Sequence, residues 1–167
     1  MVPMELVTVQ VFVANTPAMI LREQGGERRV LPILIGDPEA KSIAGVLEGH
    51  VPPRPLTHDL TVTLLAILGA TLERVVLTEV VDTTYYAELH LRTSAGEAVV
   101  SARPSDGVAL AVRIGVPIMA TASLLDEAGQ PASLLDDTDD DDEDDPEVIL
   151  EEFRDFLDDL DPDDFAT

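Results

Sequence analysis

Two short segments of the chain repeat the same order of residue types. The first is Arg54-Pro55-Leu56-Thr57-His58-Asp59, and the second is Arg103-Pro104-Ser105-Asp106. In each, Arg-Pro precedes a hydroxyl residue and then an aspartate, an order typical of a helix N-terminus. The pattern predicts that Thr57 and Ser105 cap helices. Helix capping does not explain the arginines or His58.

The first chemistry that these segments suggest is phosphate binding. The free amides at the start of a helix bind anions, and an arginine beside them can hold a phosphate with two hydrogen bonds. We therefore expect the candidate phosphate-binding residues to be Arg54, Arg103, Ser105 and Thr57.

The second chemistry is metal-assisted hydrolysis. Mg²⁺ and Mn²⁺ take oxygen ligands, and a bound ion neutralises charge that develops on a phosphate. The candidate metal ligands are Asp59, Asp106 and Glu39, with Mg or Mn as the expected ion. His58 is a candidate general acid or base, so His58, Asp59 and Asp106 form the candidate catalytic set. This requires the helix starts to meet, which the sequence alone does not establish.

The elements that would position these residues follow from hydrophobic patterning and turn residues. Short apolar runs separated by Asn, Gly and Pro predict strands, and helix starts are indicated at 37, 57 and 105. The sequence predicts an α+β fold with three main helices and a mixed, largely antiparallel sheet. The predicted strands are 4–13, 18–22, 29–35, 72–81, 85–93, 98–102 and 117–120, with a helical turn over 122–128.

Charge divides the chain into two parts. Of its 33 acidic residues, 18 lie in 131–167, where Arg154 is the one basic residue, and the formal net charge of the whole chain is −23. We therefore predict a single domain over 1–130 and a disordered acidic tail over 131–167. Apolar residues at helical spacing indicate an amphipathic helix over 147–160, which either packs loosely on its own domain or docks a protein partner.

Several classes of protein are disfavoured by composition. There is no cysteine and no uninterrupted apolar run long enough for a membrane-spanning helix, and the N-terminus does not resemble a secretory signal. We expect a cytoplasmic protein without a membrane partner. The acidic composition argues against a uniformly basic nucleic-acid surface, although a bound metal would supply local positive charge.

Five separated motifs together carry a family resemblance. In chain order they are Leu31-Pro32-Ile33-Leu34-Ile35-Gly36, Glu39-Ala40, the first Arg-Pro segment, Tyr86-Ala87-Glu88-Leu89 and Ala102-Arg103-Pro104-Ser105-Asp106. Their order over about residues 4–128 resembles the bifunctional nuclease family. The acidic tail is similar to that of actinobacterial members, which indicates a bacterial protein.

The resemblance implies a DNase or RNase, because the family takes its name from both activities attributed to a plant member. It implies an α+β fold with the two Arg-Pro segments as its most distinctive positions. This chain departs from the family pattern twice: Ser101 stands where an aspartate is usual, and Gly107 where an alanine is usual. The lost carboxylate bears on the predicted metal site.

Three functions remain open at this stage. The leading hypothesis is a nuclease that hydrolyses phosphodiester bonds in DNA or RNA with a divalent metal. The alternative is a non-catalytic regulatory module that binds an anion or a partner through the same helix starts. The third is an assembly protein whose Arg-Pro segments only build the fold or an interface. We also expect a homodimer, because edge strands need cover.

Overall fold

The computed structural model describes residues 1–11 and 16–133, which belong to one compact unit, Met1–Leu134. Almost all of the predicted tail, including the helix expected over 147–160, lies outside the described residues. The elements are β1 (Val2–Val11), β2 (Pro17–Glu23), β3 (Val30–Leu34), α1 (Asp37–Leu47), α2 (Thr57–Ile67), β4 (Thr71–Val81), β5 (Thr84–Thr93), β6 (Gly96–Ala102), α3 (Pro104–Ile114), β7 (Ile118–Ala120) and α4 (Ala122–Ala128).

The strands form one seven-stranded sheet in the order β3-β2-β1-β7-β4-β5-β6. Every neighbouring pair is antiparallel except β4 and β7, which run parallel. The parallel pair arises because α3 separates β6 from β7 and carries the chain back across the sheet. The predicted α+β class and the mixed, largely antiparallel sheet are confirmed. None of the helices in the described part of the chain has the length and apolar character needed to cross a membrane.

The predicted helix caps are wrong by one or two residues. The residue at the N-cap is Gly36 for α1, Leu56 for α2 and Arg103 for α3, and none of the three makes a side-chain cap hydrogen bond. In α2 the hydrogen bond is made by a side chain inside the helix: the Asp59 carboxylate accepts a hydrogen bond from the backbone amide of the N-cap residue Leu56 at 2.7 Å. In α3, Pro104 at the first position has no amide to satisfy, and Ser105 lies at the second position, inside the helix, rather than at the cap.

The core lies between the sheet and the helices, with α3 at its centre. Buried residues of β4, β5 and α3 form one cluster that includes Val75, Ala87 and Val108. α3 approaches β4 closely at Gly107, where a Cβ atom would lie 2.7 Å from Val75 Cγ1. Gly107 is therefore a close-packing position in this chain, although the family pattern has an alanine there.

Gly107→Ala should lower the free energy of unfolding by about 1 kcal/mol. The helix gains roughly 1 kcal/mol from alanine, but overpacking a buried contact costs about 1–3 kcal/mol. The same change at Gly45, within α1, has no neighbour closer than 4.0 Å and should stabilise the protein. Urea unfolding checks both signs. Equal changes in the free energy of unfolding for Gly107→Ala and Gly45→Ala would contradict the close-packing interpretation. So would an unchanged cost of Gly107→Ala when Val75 is also replaced by alanine.

Candidate functional site

Side chains from the first turns of three helices meet in one cluster. Glu39 comes from α1, His58 from α2, and Asp106 from α3, while Arg103 is the N-cap residue of α3. The strands β3 and β6 end just before α1 and α3, so the sheet fixes where these two helices begin. The sequence prediction required the helix starts to meet, and in the structure they do.

His58 is held on both sides of its ring. Its Nδ1 atom lies 2.9 Å from Ser42 Oγ, and its Nε2 atom lies 3.2 Å from Asp106 Oδ1. The ring is mostly buried, with 14% of the side chain exposed. Both nitrogens therefore have partners from other helices, which fixes the orientation of the ring.

Arg103 bridges the carboxylates of α1 and α3. Its Nε donates to Asp106 Oδ2 at 2.8 Å, and its Nη2 donates to Glu39 Oε1 at 2.8 Å and to Asp106 Oδ1 at 3.0 Å. The Arg103 side chain is nevertheless 66% exposed, whereas Glu39 is 16% exposed. The guanidinium is thus anchored by acids beneath it and remains open to solvent.

Arg113 joins all three helices from the interior side of the cluster. Its guanidinium donates to Asp59 Oδ1 at 2.7 Å, to Ser42 Oγ at 2.9 Å, to the Ser42 carbonyl oxygen at 3.1 Å and to the Ala109 carbonyl oxygen at 2.9 Å. The side chain is only 8% exposed. A buried guanidinium with this many acceptors holds the first turn of α2 against α1 and α3.

The ion pairs shift the acidity of the two aspartates in the same direction. The hydrogen bond from Arg103 holds the pKa of Asp106 below its usual range, and the bond from His58 adds to this although partial burial opposes it. The hydrogen bond from Arg113 likewise lowers the pKa of Asp59, helped by the Leu56 amide. The two carboxylates raise the pKa of Arg103, first through Asp106 and then through Glu39. Both aspartates are therefore anionic at neutral pH.

The other predicted phosphate-binding residues make none of the hydrogen bonds described for this cluster. Arg54 is exposed in the connector before α2, and Thr57 is exposed at the first position of that helix. Ser105 is buried at the second position of α3. The cluster therefore contains Arg103 from the predicted phosphate-binding set, and the roles of the other three residues stay predictions.

The predicted metal ligands divide into two groups. Glu39 Oε1 and Asp106 Oδ1 both lie within 3.0 Å of Arg103 Nη2, so they face a common point that a cation already occupies. Asp59 is turned away towards Arg113. Among residues 1–11 and 16–133, no group of three or more histidine or acidic side chains is arranged around one metal position. Glu39 and Asp106 therefore share one position, which Arg103 occupies, and Asp59 does not join them.

Ser101 does not belong to the cluster. It pairs with Glu88 in the β5–β6 ladder, whereas the next residue, Ala102, pairs with Ala87 on the core face. Successive strand residues point to opposite faces, so Ser101 lies on the face away from α3. Replacement of the usual aspartate by serine therefore removes no carboxylate from the cluster around Asp106.

Sequence reasoning missed two residues of the site, Ser42 and Arg113. Arg113 carried a signal, because it is a single charge within the otherwise apolar run from Val108 to Ile114. A charge on such a helix face is expected to have a buried partner. Ser42 carried none, since a serine in an amphipathic helix is ordinarily exposed.

Comparisons with known proteins show which family the chain is similar to. The model of the bifunctional nuclease domain matches residues 19–133. An uncharacterized protein of Mycobacterium tuberculosis strain H37Rv is 44% identical over 152 residues, which cover 90% of this chain and 89% of that protein. Bifunctional nuclease 2 of Oryza sativa subsp. japonica is 31% identical over 116 residues, covering 66% of this chain and 35% of the plant protein. Bifunctional nuclease of Oryza minuta is 27% identical over 104 residues, covering 60% of this chain and 31% of its own length.

The matched segment contains the whole cluster, from Glu39 and Ser42 in α1 to Arg113 in α3. The family model covers more than half of the chain, and the mycobacterial relative is similar over nearly all of its length. The chain belongs to the bifunctional nuclease domain family.

Proposed function

We propose that this protein hydrolyses phosphodiester bonds in DNA or RNA at the cluster of Glu39, His58, Arg103 and Asp106. One observation carries the proposal: an exposed arginine and an oriented histidine share the same carboxylate, Asp106. Phosphodiester hydrolysis needs a group that holds the phosphate and a group that moves a proton beside it. Membership of the family and the similarity to plant bifunctional nucleases support this assignment.

Arg103 would bind the phosphate. It is two-thirds exposed, and its two acidic partners fix the base of the guanidinium while leaving its outer side open. An arginine that is already oriented loses less side-chain entropy when it binds a phosphate oxygen. The neighbouring carboxylates also repel the phosphate, so Arg103 has to turn part of its hydrogen-bonding capacity from Glu39 to the substrate.

His58 would move the proton at Nε2. Ser42 Oγ accepts a hydrogen bond from Arg113 and still offers both a donor and a lone pair to Nδ1. Nδ1 therefore keeps a partner whether or not it carries a proton. Nε2–H donates to the anionic Asp106 carboxylate, so Nε2 would act as the acid. With Nδ1 also protonated and donating to Ser42 Oγ, Nε2 can give its proton to the leaving oxygen of the phosphodiester, while the attacking water releases its proton to solvent.

A divalent ion of the Mg or Mn class is part of the proposal. Glu39 and Asp106 would hold it in place of the Arg103 Nη2 atom once Arg103 turns towards the phosphate, because their oxygens face the point that this atom occupies. When bound, such an ion supplies positive charge to the phosphate and lowers the pKa of a bound water. Asp59 would act at a distance from the ion, by fixing Arg113 and through it Ser42.

The alternative function is a regulatory module that binds an anion without turnover. Arg103 fills the position between Glu39 and Asp106, and that observation favours a binding site over a metal site. Binding without catalysis would need Arg103 but would not need the proton-transferring nitrogen of His58. The two functions therefore differ in what the His58 and Asp106 variants do.

Cleavage assays with labelled single- and double-stranded DNA and RNA test the proposal. Wild-type protein should cleave at least one substrate with Mg²⁺ or Mn²⁺ and lose this activity in excess EDTA. Asp106→Asn should lower the rate at least about 100-fold, because it removes the carboxylate that orients His58, and a positioned acid–base group provides an effect of that order. The matched control is Asp126→Asn, because Asp126 is also paired with an arginine, Arg29 at 2.7 Å, but lies outside the cluster.

Equal activity in wild type and Asp106→Asn would place any cleavage elsewhere or in a contaminant. No cleavage by wild type, together with oligonucleotide binding that Arg103→Met abolishes, would select the regulatory module. Cleavage that continues in excess EDTA would remove the metal from the proposal. The role of His58 would still be tested by the same assay with the His58 variants.

A further inference from the structure

The helix α2 is apolar on two opposite faces. Val62 and Leu65 pack against the core, and at roughly 100° per residue the side chains facing the other way form a single stripe. No residue of this helix is buried. The stripe, which we call the leucine ridge, comprises Leu56 at 44% exposure, Leu60 at 52%, Leu64 at 48%, Ile67 at 75% and Leu68 at 77%.

A helix with two apolar faces normally packs against protein on both of them. A helix that is hydrophobic around its circumference is usually buried, and a contiguous exposed apolar patch marks an interaction surface. The ridge has leucines at four successive i, i+4 positions, from Leu56 to Leu68. Rows with this spacing pack into the grooves of another helix at a crossing angle of about −50°. The ridge therefore has the geometry of a helix-packing surface.

The charge of the ridge indicates what covers it. α2 contains no lysine or arginine, and its one acidic residue, Asp59, is engaged by Arg113. A partner of strong charge would find no opposite charge on this face. The acidic segment 131–167 is for this reason a poor candidate to cover the ridge, although it also contains apolar residues. A second copy of the ridge is apolar and uncharged, and so it is self-complementary.

We propose that the protein forms a two-fold symmetric dimer through the leucine ridge, with α2 of one copy packed across α2 of the other. A standard interface buries roughly 800 Å² per partner, so residues that flank the ridge have to contribute to the contact as well. The inference is independent of whether the protein is a nuclease.

The dimer has a structural consequence for the candidate site. Leu56 begins the ridge, and its amide is bound by Asp59 in the turn that carries His58. Packing of α2 against its copy would therefore restrain the first turn of α2 from outside, as Arg113 restrains it from inside. Each candidate site would lie beside the interface.

Sedimentation equilibrium of the full chain tests the proposal. Wild type should be a dimer in the micromolar range, and Leu64→Glu should weaken the dimer at least about 100-fold, since it brings two unpaired charges into an apolar contact. Leu64 is half exposed and glutamate is a good helix former, so circular dichroism and the melting temperature should show a folded variant. Val99→Glu, at an exposed valine of the edge strand β6, is the control and should remain a dimer.

The absence of cysteine permits a second readout. Leu60→Cys creates one thiol per chain, which should form a disulfide-linked dimer on mild oxidation, whereas Val99→Cys should not. A monomeric wild type would overturn the proposal, as would a dimer that survives Leu64→Glu. Dissociation by Val99→Glu instead would move the interface to the sheet edge. A wild-type monomer that dimerises once 135–167 are deleted would show that the tail covers the ridge.

Discussion

Replacement of His58 by alanine is expected to lower the rate of nucleic-acid cleavage at least about 100-fold, the lower end of what a positioned acid–base group contributes. The Nε2 atom of His58 is the one imidazole nitrogen within reach of Asp106, at 3.2 Å. Neither of the other two histidines is hydrogen-bonded to the cluster: His90 pairs with Glu88 and Arg74 on β5 and β4, and the described hydrogen bond of His50 runs from its backbone amide to the Gly45 carbonyl oxygen. Rates under saturating substrate, with a Mg²⁺ or Mn²⁺ series, measure the effect.

The matched control is His90→Ala. His90 also lies between an arginine and a carboxylate, and its side chain is similarly buried, at 18% exposed against 14% for His58. Its register with Arg74 and Val99 places it on the sheet face away from α3. Cleavage by His90→Ala should stay within about 3-fold of wild type, since it removes no acid–base group of the cluster. Equal losses in the two variants would contradict a specific role for His58.

For His58→Ala, a loss of activity through unfolding must be distinguished from the loss of the proton-transferring group. Alanine at 58 also removes the hydrogen bonds to Ser42 and Asp106, which should cost about 1–2 kcal/mol of stability. His58→Gln keeps a hydrogen-bonding amide at this position but cannot transfer a proton. A folded His58→Gln protein with wild-type activity would show that the histidine only orients its neighbours.

The second large effect is expected on stability. Arg113→Met should lower the free energy of unfolding by about 2–4 kcal/mol, somewhat less than the roughly 3–5 kcal/mol for breaking a fully buried ion pair from one side, because Asp59 is 31% exposed. The change leaves Asp59 without its guanidinium partner and removes two hydrogen bonds to Ser42. Methionine keeps most of the apolar length of the side chain, so the loss reports on polar contacts more than on packing.

Arg92→Met is the control for this stability change. Arg92 is paired with Glu73 across β4 and β5, but its side chain is 67% exposed. An exposed ion pair contributes about 0–1 kcal/mol, so urea unfolding should separate the two variants by more than 1 kcal/mol. Similar free energies of unfolding would contradict the view that Arg113 locks the three helices together.

The order of the elements was predictable because local signals were strong. Apolar runs broken by Asn, Gly and Pro marked each strand, and the observed order of strands and helices is the predicted one. Helix starts were less predictable, since Thr57 and Ser105 have the residue types of caps but lie inside their helices. In α2 the Asp59 carboxylate meets the Leu56 amide instead. Residue type therefore indicated the turn but not the exact capping residue.

The candidate site was predictable only in part, for a physical reason. Repetition of the Arg-Pro segments pointed to His58, Arg103 and Asp106, which the structure brings into contact. The similar residue types of the two segments were misleading. Arg103 is hydrogen-bonded within the cluster, whereas Arg54 is exposed and makes none of the cluster's hydrogen bonds. Contacts such as those of Arg113 with Ser42 depend on how three helices pack, and no local pattern encodes that packing.

The central claim is that a phosphodiester binds at Arg103 beside His58. Side-chain NMR of labelled full-length protein tests it most directly, with a short single-stranded DNA oligonucleotide added in EDTA so that metal-dependent cleavage does not consume the probe. We predict that the Arg103 Nε–H and His58 ring signals move and saturate together, while those of Arg92 and His90 stay in place. Unmoved Arg103 and His58 signals, or equal shifts at all exposed arginines that vanish with salt, would contradict the claim.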